Sequence, residues 1–182
     1  MRSIPLALPG AVLIEPTVYA DMRGAFFESW NERAFAASGI EARFVQENVS
    51  VSRRHVLRGL HYQVSQVQGK LIRVLAGAVF DVIVDLRRSS SEFGRSLSVE
   101  LDASEPRSLW VPPGFAHGFL ALADDTHVQY KVTDFWAPHA ERTLAWNDPA
   151  LGIHWPLPPG TEPVLSDKDR HGQKLAQAES FP

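Results

Sequence analysis

The chain has 182 residues, 45% of them apolar and 21% charged, a balance that suits one globular domain whose core needs neither disulfides nor a structural metal. Its 18 lysines and arginines stand against 21 aspartates and glutamates, and the net charge of −3 argues against nonspecific nucleic-acid binding while leaving local arginines able to meet a phosphate. Cysteine is absent, which excludes disulfide and thiolate chemistry.

From the N-terminus, Met1 to Ile14 is mildly signal-like, with Arg2, an apolar run and Val18-Tyr19-Ala20 as a cleavage-like site. Pro5, Pro9 and Glu15 interrupt it, so the segment is read as part of the folded domain and the protein as cytoplasmic. No apolar stretch approaches membrane-spanning length, so no membrane partner is expected. Short β-prone runs recur at 11–18, 25–30, 43–51, 55–62, 70–75, 78–86, 95–101, 107–111, 117–122, 126–135 and 142–146, with turn residues between them. Such spacing predicts an all-β sandwich, jelly roll or closed barrel. One early helix is expected at 32–38, with Asn31 as its N-cap and Gly39 past its end. Pro156 to Pro163 is too proline-rich for a central strand, and Ser166 to Arg170 reads as a surface excursion. Residues 1–182 form one domain on this reading, with a peripheral polar tail from about 171.

Strand alternation assigns faces. Lys70 shares a face with Ile72 and Val74, where loss of water would lower the ammonium pKa. Tyr130 shares one with Val128 and Val132 and is expected to point inward. Phe80, Val82, Val84 and Leu86 form an apolar face, leaving Asp81 and Asp85 on a face expected to line something polar. Taken singly, each of these residues has a structural explanation: a hydrogen-bonded core histidine, a snorkelling lysine, a barrel tyrosine, a turn-capping aspartate.

Two runs, Arg58-Gly59-Leu60-His61-Tyr62-Gln63 and Pro112-Pro113-Gly114-Phe115-Ala116-His117-Gly118, resemble the two halves of a cupin signature from which most metal ligands have been removed. Gln63 stands where a metal-binding cupin has its second histidine, and no glutamate follows until Glu92. One imidazole from each half, His61 and His117, falls short of the three or four ligands a first-row metal needs. No metal is therefore expected, and His61 is free to act as a base.

The wider pattern resembles the dTDP-4-dehydrorhamnose 3,5-epimerases and their deoxysugar relatives. The matching stretches include Asp21-Met22-Arg23-Gly24-Ala25-Phe26-Phe27-Glu28, Phe44-Val45-Gln46-Glu47-Asn48, Val56 to Gln63 and Gln68-Gly69-Lys70. They continue through Asp81 to Arg87, Pro112 to Phe119, Tyr130 to Asp134, Trp146 to Ala150 and Leu165 to Asp169, in the family's order over about residues 4–170. The resemblance implies a metal-free cupin jelly-roll β-barrel with a few short peripheral helices, no cofactor, and a homodimer.

It also implies an isomerase acting beside a ketone. In a 4-keto sugar the C3 and C5 protons are acidic because the carbanion delocalises onto the C4 oxygen as an enolate. His61 matches the base and Asp169 its dyad partner. Lys70 matches the cation beside the enolate, and Tyr130 the acid on the opposite face. Asp81 matches a second acidic position, counted among the substrate contacts and able to pair with His61 or with Lys70. Arg23, Phe26 and Glu28 match residues that reach the nucleotide of the neighbouring subunit, so the nucleotide site would be shared across the dimer. Gln46, Asn48, Arg58, His117 and Lys168 match the remaining sugar and diphosphate contacts.

One departure stands out: the family's Tyr-Tyr pair is Phe135-Trp136 here, so position 136 offers an indole instead of a phenol. The Gln63 to Lys70 connection is also one residue shorter than the commoner spacing. The expected activity is epimerisation of a dTDP-4-keto-6-deoxyhexose at C3, C5 or both, in deoxysugar biosynthesis of the dTDP-L-rhamnose type. A single-position epimerase, a 3,4-ketoisomerase of similar fold and a noncatalytic sugar-nucleotide-binding cupin are the alternatives.

Overall fold

β-Branched and aromatic residues in short alternating runs leave little helix, and the computed structural model, which describes residues 1–182, is built mainly from antiparallel strands. In chain order these are β1 (Arg2–Pro5), β2 (Val12–Glu15), β3 (Val18–Asp21), β4 (Gly24–Phe27), β5 (Gln46–Ser52), β6 (Leu57–Gln63) and β7 (Lys70–Ala76). They continue as β8 (Ala78–Asp85), β9 (Ser96–Asp102), β10 (Ser108–Val111), β11 (Phe115–Ala121), β12 (Thr126–Val132) and β13 (Glu141–Thr143). Two short helices, α1 (Glu32–Ala37) and α2 (Asp167–Arg170), lie at the periphery. None is long and apolar enough to cross a membrane.

A six-stranded sheet, in the order β1-β2-β10-β7-β12-β5, faces a five-stranded sheet, β13-β6-β11-β8-β9, in a jelly-roll barrel of the cupin type. The main core lies between them, around Ile72, Val74, Val79, Ile83, Phe115 and Val128. A second cluster, with Leu60, Tyr62, Val82, Val84 and Leu144, packs the other face of the five-stranded sheet under the C-terminal segment. Strand β8 therefore packs on both faces. Its second face is not the polar wall expected from sequence, because Val79 and Ile83 alternate with Asp81 and Asp85.

Helix α1 starts at Asn31, whose side chain accepts a hydrogen bond from the Ala34 N–H at 3.1 Å, and Gly39 follows it with φ +79°. Pro16, with no N–H for a ladder, separates β2 from β3 where one strand was expected over 11–18. Strand β1, unforeseen, pairs along β2. The run expected to continue to 135 stops at Val132 and turns into a loop. The tail is anchored at the periphery: Tyr62 donates to the Glu179 carbonyl at 2.8 Å, and Phe181 packs edge-on against Tyr62.

Strands β6 and β11 approach unusually closely. A Cβ at Gly59 would lie 2.5 Å from Gly118 Cα, and Gly59 has φ +135°, so glycine is required there. Across this crossing His117 pairs with His61 but Phe119 pairs with Arg58, leaving one extra residue on β6. This bulge lets Arg58 and His61 line the same cavity, although residues three apart on a regular strand face opposite ways.

Candidate active site

Part of the barrel interior is left unfilled by the core and forms a cavity of about 810 Å³, the size of a small-molecule site. Its wall brings together His61, Lys70, Tyr130 and Asp169 with Gln46, Asn48, Arg58, His117, Trp136 and Lys168. Most reach it by strand alternation. On β12, Tyr130 pairs with Ile72 on one side and Asn48 on the other, and Val132 pairs with Lys70 and Gln46, so these polar groups stand in adjacent rows.

His61 Nε2 lies 2.5 Å from Asp169 Oδ1. The carboxylate also accepts from the Ser166 hydroxyl at 2.7 Å, and the Ser166 oxygen accepts the Asp169 N–H at 3.2 Å as the N-cap of α2. Asp169, only 3% exposed, is therefore tucked inward, and the surface excursion expected here is a one-turn helix that delivers it. Burial alone would raise its pKa, but the hydrogen bonds from His61 and Ser166 outweigh this and hold the carboxyl below its ordinary value. Burial pushes the imidazole below its own ordinary value; Asp169 opposes that shift, while the Lys168 and Lys70 charges reinforce it. The pair at neutral pH is thus a carboxylate accepting from a neutral imidazole through Nε2, which leaves the Nδ1 lone pair as the basic site.

Lys70 is 8% exposed, and its ammonium donates to the His61 carbonyl at 3.1 Å. Burial drives its pKa down to about 8, with the Glu141 and Asp81 charges limiting the fall. Tyr130 is shifted upward by burial and remains a neutral phenol, able to donate a proton. Glu141 pairs with Lys168 at 2.9 Å. Arg58 donates to the Ser52 hydroxyl at 3.1 Å and the Val51 carbonyl at 3.2 Å.

Asp81 departs from expectation. It pairs with neither His61 nor Lys70; both of its oxygens lie at 2.9–3.0 Å from His117 Nε2. The register sets Asp81 opposite Phe119, which makes His117 its diagonal neighbour on the same face. Fully buried and outside the cavity wall, Asp81 supports His117 and offers no surface to a ligand, contrary to its expected place among the substrate contacts. Burial raises its pKa, against the pull of His117 and Lys70.

Arg23, Phe26 and Glu28 lie outside the cavity of their own chain, on and just after the two-stranded β3–β4 hairpin. Phe26 is 73% exposed, Arg23 forks onto Asp21 at 2.6–3.2 Å, and Glu28 accepts from Asn31 at 3.0 Å. The wall also contains Gln63, Gln68, Glu141 and Ser166, which sequence reasoning did not select. Only the Ser-x-x-Asp capping spacing gave any sign of Ser166. Nowhere do three or more histidine, aspartate or glutamate side chains converge in a metal-holding arrangement.

A neutral imidazole bonded to a carboxylate, a buried ammonium and a phenol in one cavity are the parts needed to abstract and return a proton beside a carbonyl. The sequence profile of the dTDP-4-dehydrorhamnose 3,5-epimerases matches residues 5–177. This chain belongs to that family. It is 53% identical over 183 residues to the dTDP-4-dehydrorhamnose 3,5-epimerase of Pseudomonas aeruginosa, covering all of both chains. To the enzyme of that name from Methanothermobacter thermautotrophicus it is 47% identical over 176 residues, covering 97% of this chain and 95% of the other. Among solved structures it is similar to the dTDP-6-deoxy-D-glucose-3,5-epimerase of Legionella pneumophila in complex with dTDP-4-keto-L-rhamnose. That match has a TM-score of 0.93 and 44% identity, and covers 98% of this chain and 94% of the other.

Proposed function

We propose that the protein is an isomerase that inverts C3 and C5 of a dTDP-4-keto-6-deoxyhexose in dTDP-L-rhamnose-type biosynthesis. The reading is carried by the His61 imidazole, kept neutral and locked to buried Asp169, in one cavity with Tyr130 and the buried Lys70 ammonium. His61 Nδ1 takes the proton from the carbon beside the ketone, and the resulting imidazolium is stabilised by Asp169. Electron density moves to the C4 oxygen, where Lys70 supplies a positive charge in a site of low dielectric. Tyr130 returns a proton from the opposite face, and the enolate collapses to the inverted ketone.

Gln46, Asn48, Arg58, His117 and Lys168 hold the sugar and diphosphate in this reading, and Trp136 walls the sugar end. Arg23, Phe26 and Glu28, exposed on and beside a hairpin away from their own cavity, reach the nucleotide of a second subunit, with Phe26 stacking on thymine and Arg23 meeting phosphate. The protein then works as a homodimer, in the cytoplasm, where charged nucleotide sugars are retained.

The test is incubation with dTDP-4-keto-6-deoxyglucose in deuterated water, followed by NMR at C3 and C5, with His61→Ala as the control. Label at both carbons supports the double epimerase. Label at one identifies a single-centre epimerase, the second reading favoured by Trp136 in place of a phenol. Bound dTDP without label above the control rejects catalysis on this substrate.

A further inference from the structure

The loop after β12 carries Trp136 into the cavity wall, yet no strand pairs with it over Asp134–Ala137. Four of its backbone groups are satisfied instead by side-chain amides from three glutamines. Gln68 donates to the Asp134 carbonyl at 2.9 Å, and Gln63 donates to the Phe135 carbonyl at 3.2 Å. The Trp136 N–H donates to Gln46 Oε1 at 3.0 Å, and the Ala137 N–H to Gln63 Oε1 at 2.9 Å. Gln63 makes two of these four bonds and adds a third, to the Gln66 carbonyl at 2.7 Å. A carboxamide only 3% exposed is costly to bury unless bonded, and here both ends are used. The anchors also fix where the loop sits: Gln46 lies in the same cross-strand row as Lys70, through Val132.

We infer that Gln63 is a positioning residue for the reaction: its buried amide locks the Asp134–Ala137 loop so that Trp136 is held as a fixed wall beside Lys70 and the sugar. This rests on the epimerase reading above, and it gives a second use to the β6 position where a metal-binding cupin has a histidine. Gln63 acts through Trp136 and needs no contact with substrate. A tethered indole limits how the six-membered ring can tilt between His61 and Tyr130, and so sets how readily C3 and C5 are each presented.

The test compares Gln63→Leu, Trp136→Ala and the double variant by kcat/KM and by the ratio of deuterium uptake at C3 to that at C5. The ratio does not depend on how much protein is folded, so general destabilisation leaves it unchanged. We expect Gln63→Leu to lower kcat/KM roughly three- to ten-fold, the scale of a lost aromatic contact, and to shift the ratio in the same direction as Trp136→Ala. The double variant should match Trp136→Ala alone, because the two residues act as one unit. An unchanged ratio in Gln63→Leu, or effects that multiply in the double variant, would overturn the inference. Should Gln63→Leu fail to fold, Gln68→Ala loosens the same loop from its other end, and the same comparison decides. Wild-type protein that exchanges at neither carbon would instead overturn the reading of the site.

Discussion

Replacing Lys70 by methionine separates stability from function. The wild-type ammonium is held in the barrel at a pKa of about 8 against an ordinary 10.5, and each pKa unit corresponds to about 1.36 kcal/mol, so keeping it charged at pH 7 costs the fold about 3 kcal/mol. Methionine fills similar volume without charge and loses one hydrogen bond, to the His61 carbonyl, at a cost of about 1 kcal/mol. The variant should therefore be more stable by about 2 kcal/mol at neutral pH, or roughly 4–8 °C in Tm for a chain of this size. The sign has a pH signature. Between pH 8 and 10.5 the unfolded lysine binds a proton that the folded one has given up, so wild-type stability rises through that window. The advantage of Lys70→Met is full below pH 8 and fades as pH approaches 10.5. Activity should move the other way, falling roughly 100- to 1000-fold as the enolate loses its cation. Urea denaturation at pH 7 and pH 10, with exchange kinetics on the same samples, measures both. A variant less stable than wild type at pH 7, or a gap that does not narrow by pH 10, would refute the argument that the buried charge is a net cost.

His61→Ala should abolish exchange at both carbons while leaving dTDP affinity unchanged; residual exchange near the wild-type rate would remove His61 from the mechanism. Tyr130→Phe should slow reprotonation more than abstraction, so that label washes in without inversion, as chiral product analysis by NMR would report. The pH–rate profile should fall on the acid side below pH 6.5, where depressed His61 is finally protonated, and on the alkaline side near pH 8, where Lys70 loses its charge. Gly59→Ala should yield little folded protein, since its Cβ would meet the Gly118 backbone, and a soluble yield equal to wild type would contradict the close crossing.

How far the sequence predicts this site depends on whether a residue's placement is local. Alternation along β7 and β12 is enough to turn Lys70 and Tyr130 inward, and the Asn31 cap marks where α1 begins. The pairing of Asp81 with His117 is not readable in this way, because it depends on the β8–β11 register between residues 36 apart in sequence. Nor does alternation place Arg58 with His61; it predicts opposite faces, and only the bulge at Gly59 reconciles them. Asp169 looks like part of a charged surface run, and its burial follows from Ser166 capping a single turn against β6.

The hairpin residues invite a test that no single variant provides. In a two-fold dimer with shared sites, Arg23→Ala removes a contact from the partner's cavity while His61→Ala disables the residue's own cavity. Each homodimer is then defective at both sites. In a heterodimer the two lesions fall in the same site, because the Arg23→Ala chain damages the cavity of the His61→Ala chain, and the other site is intact. Mixing the two inactive proteins at equal concentration and allowing subunits to exchange should restore about a quarter of wild-type activity, since half the dimers are mixed and each has one working site. If Arg23 served its own subunit's cavity, the lesions would fall in separate sites and mixing would restore nothing. Absence of recovery, once subunit exchange has been verified by native mass spectrometry, would place the nucleotide wholly within one chain and leave the exposed Phe26 without a role in binding.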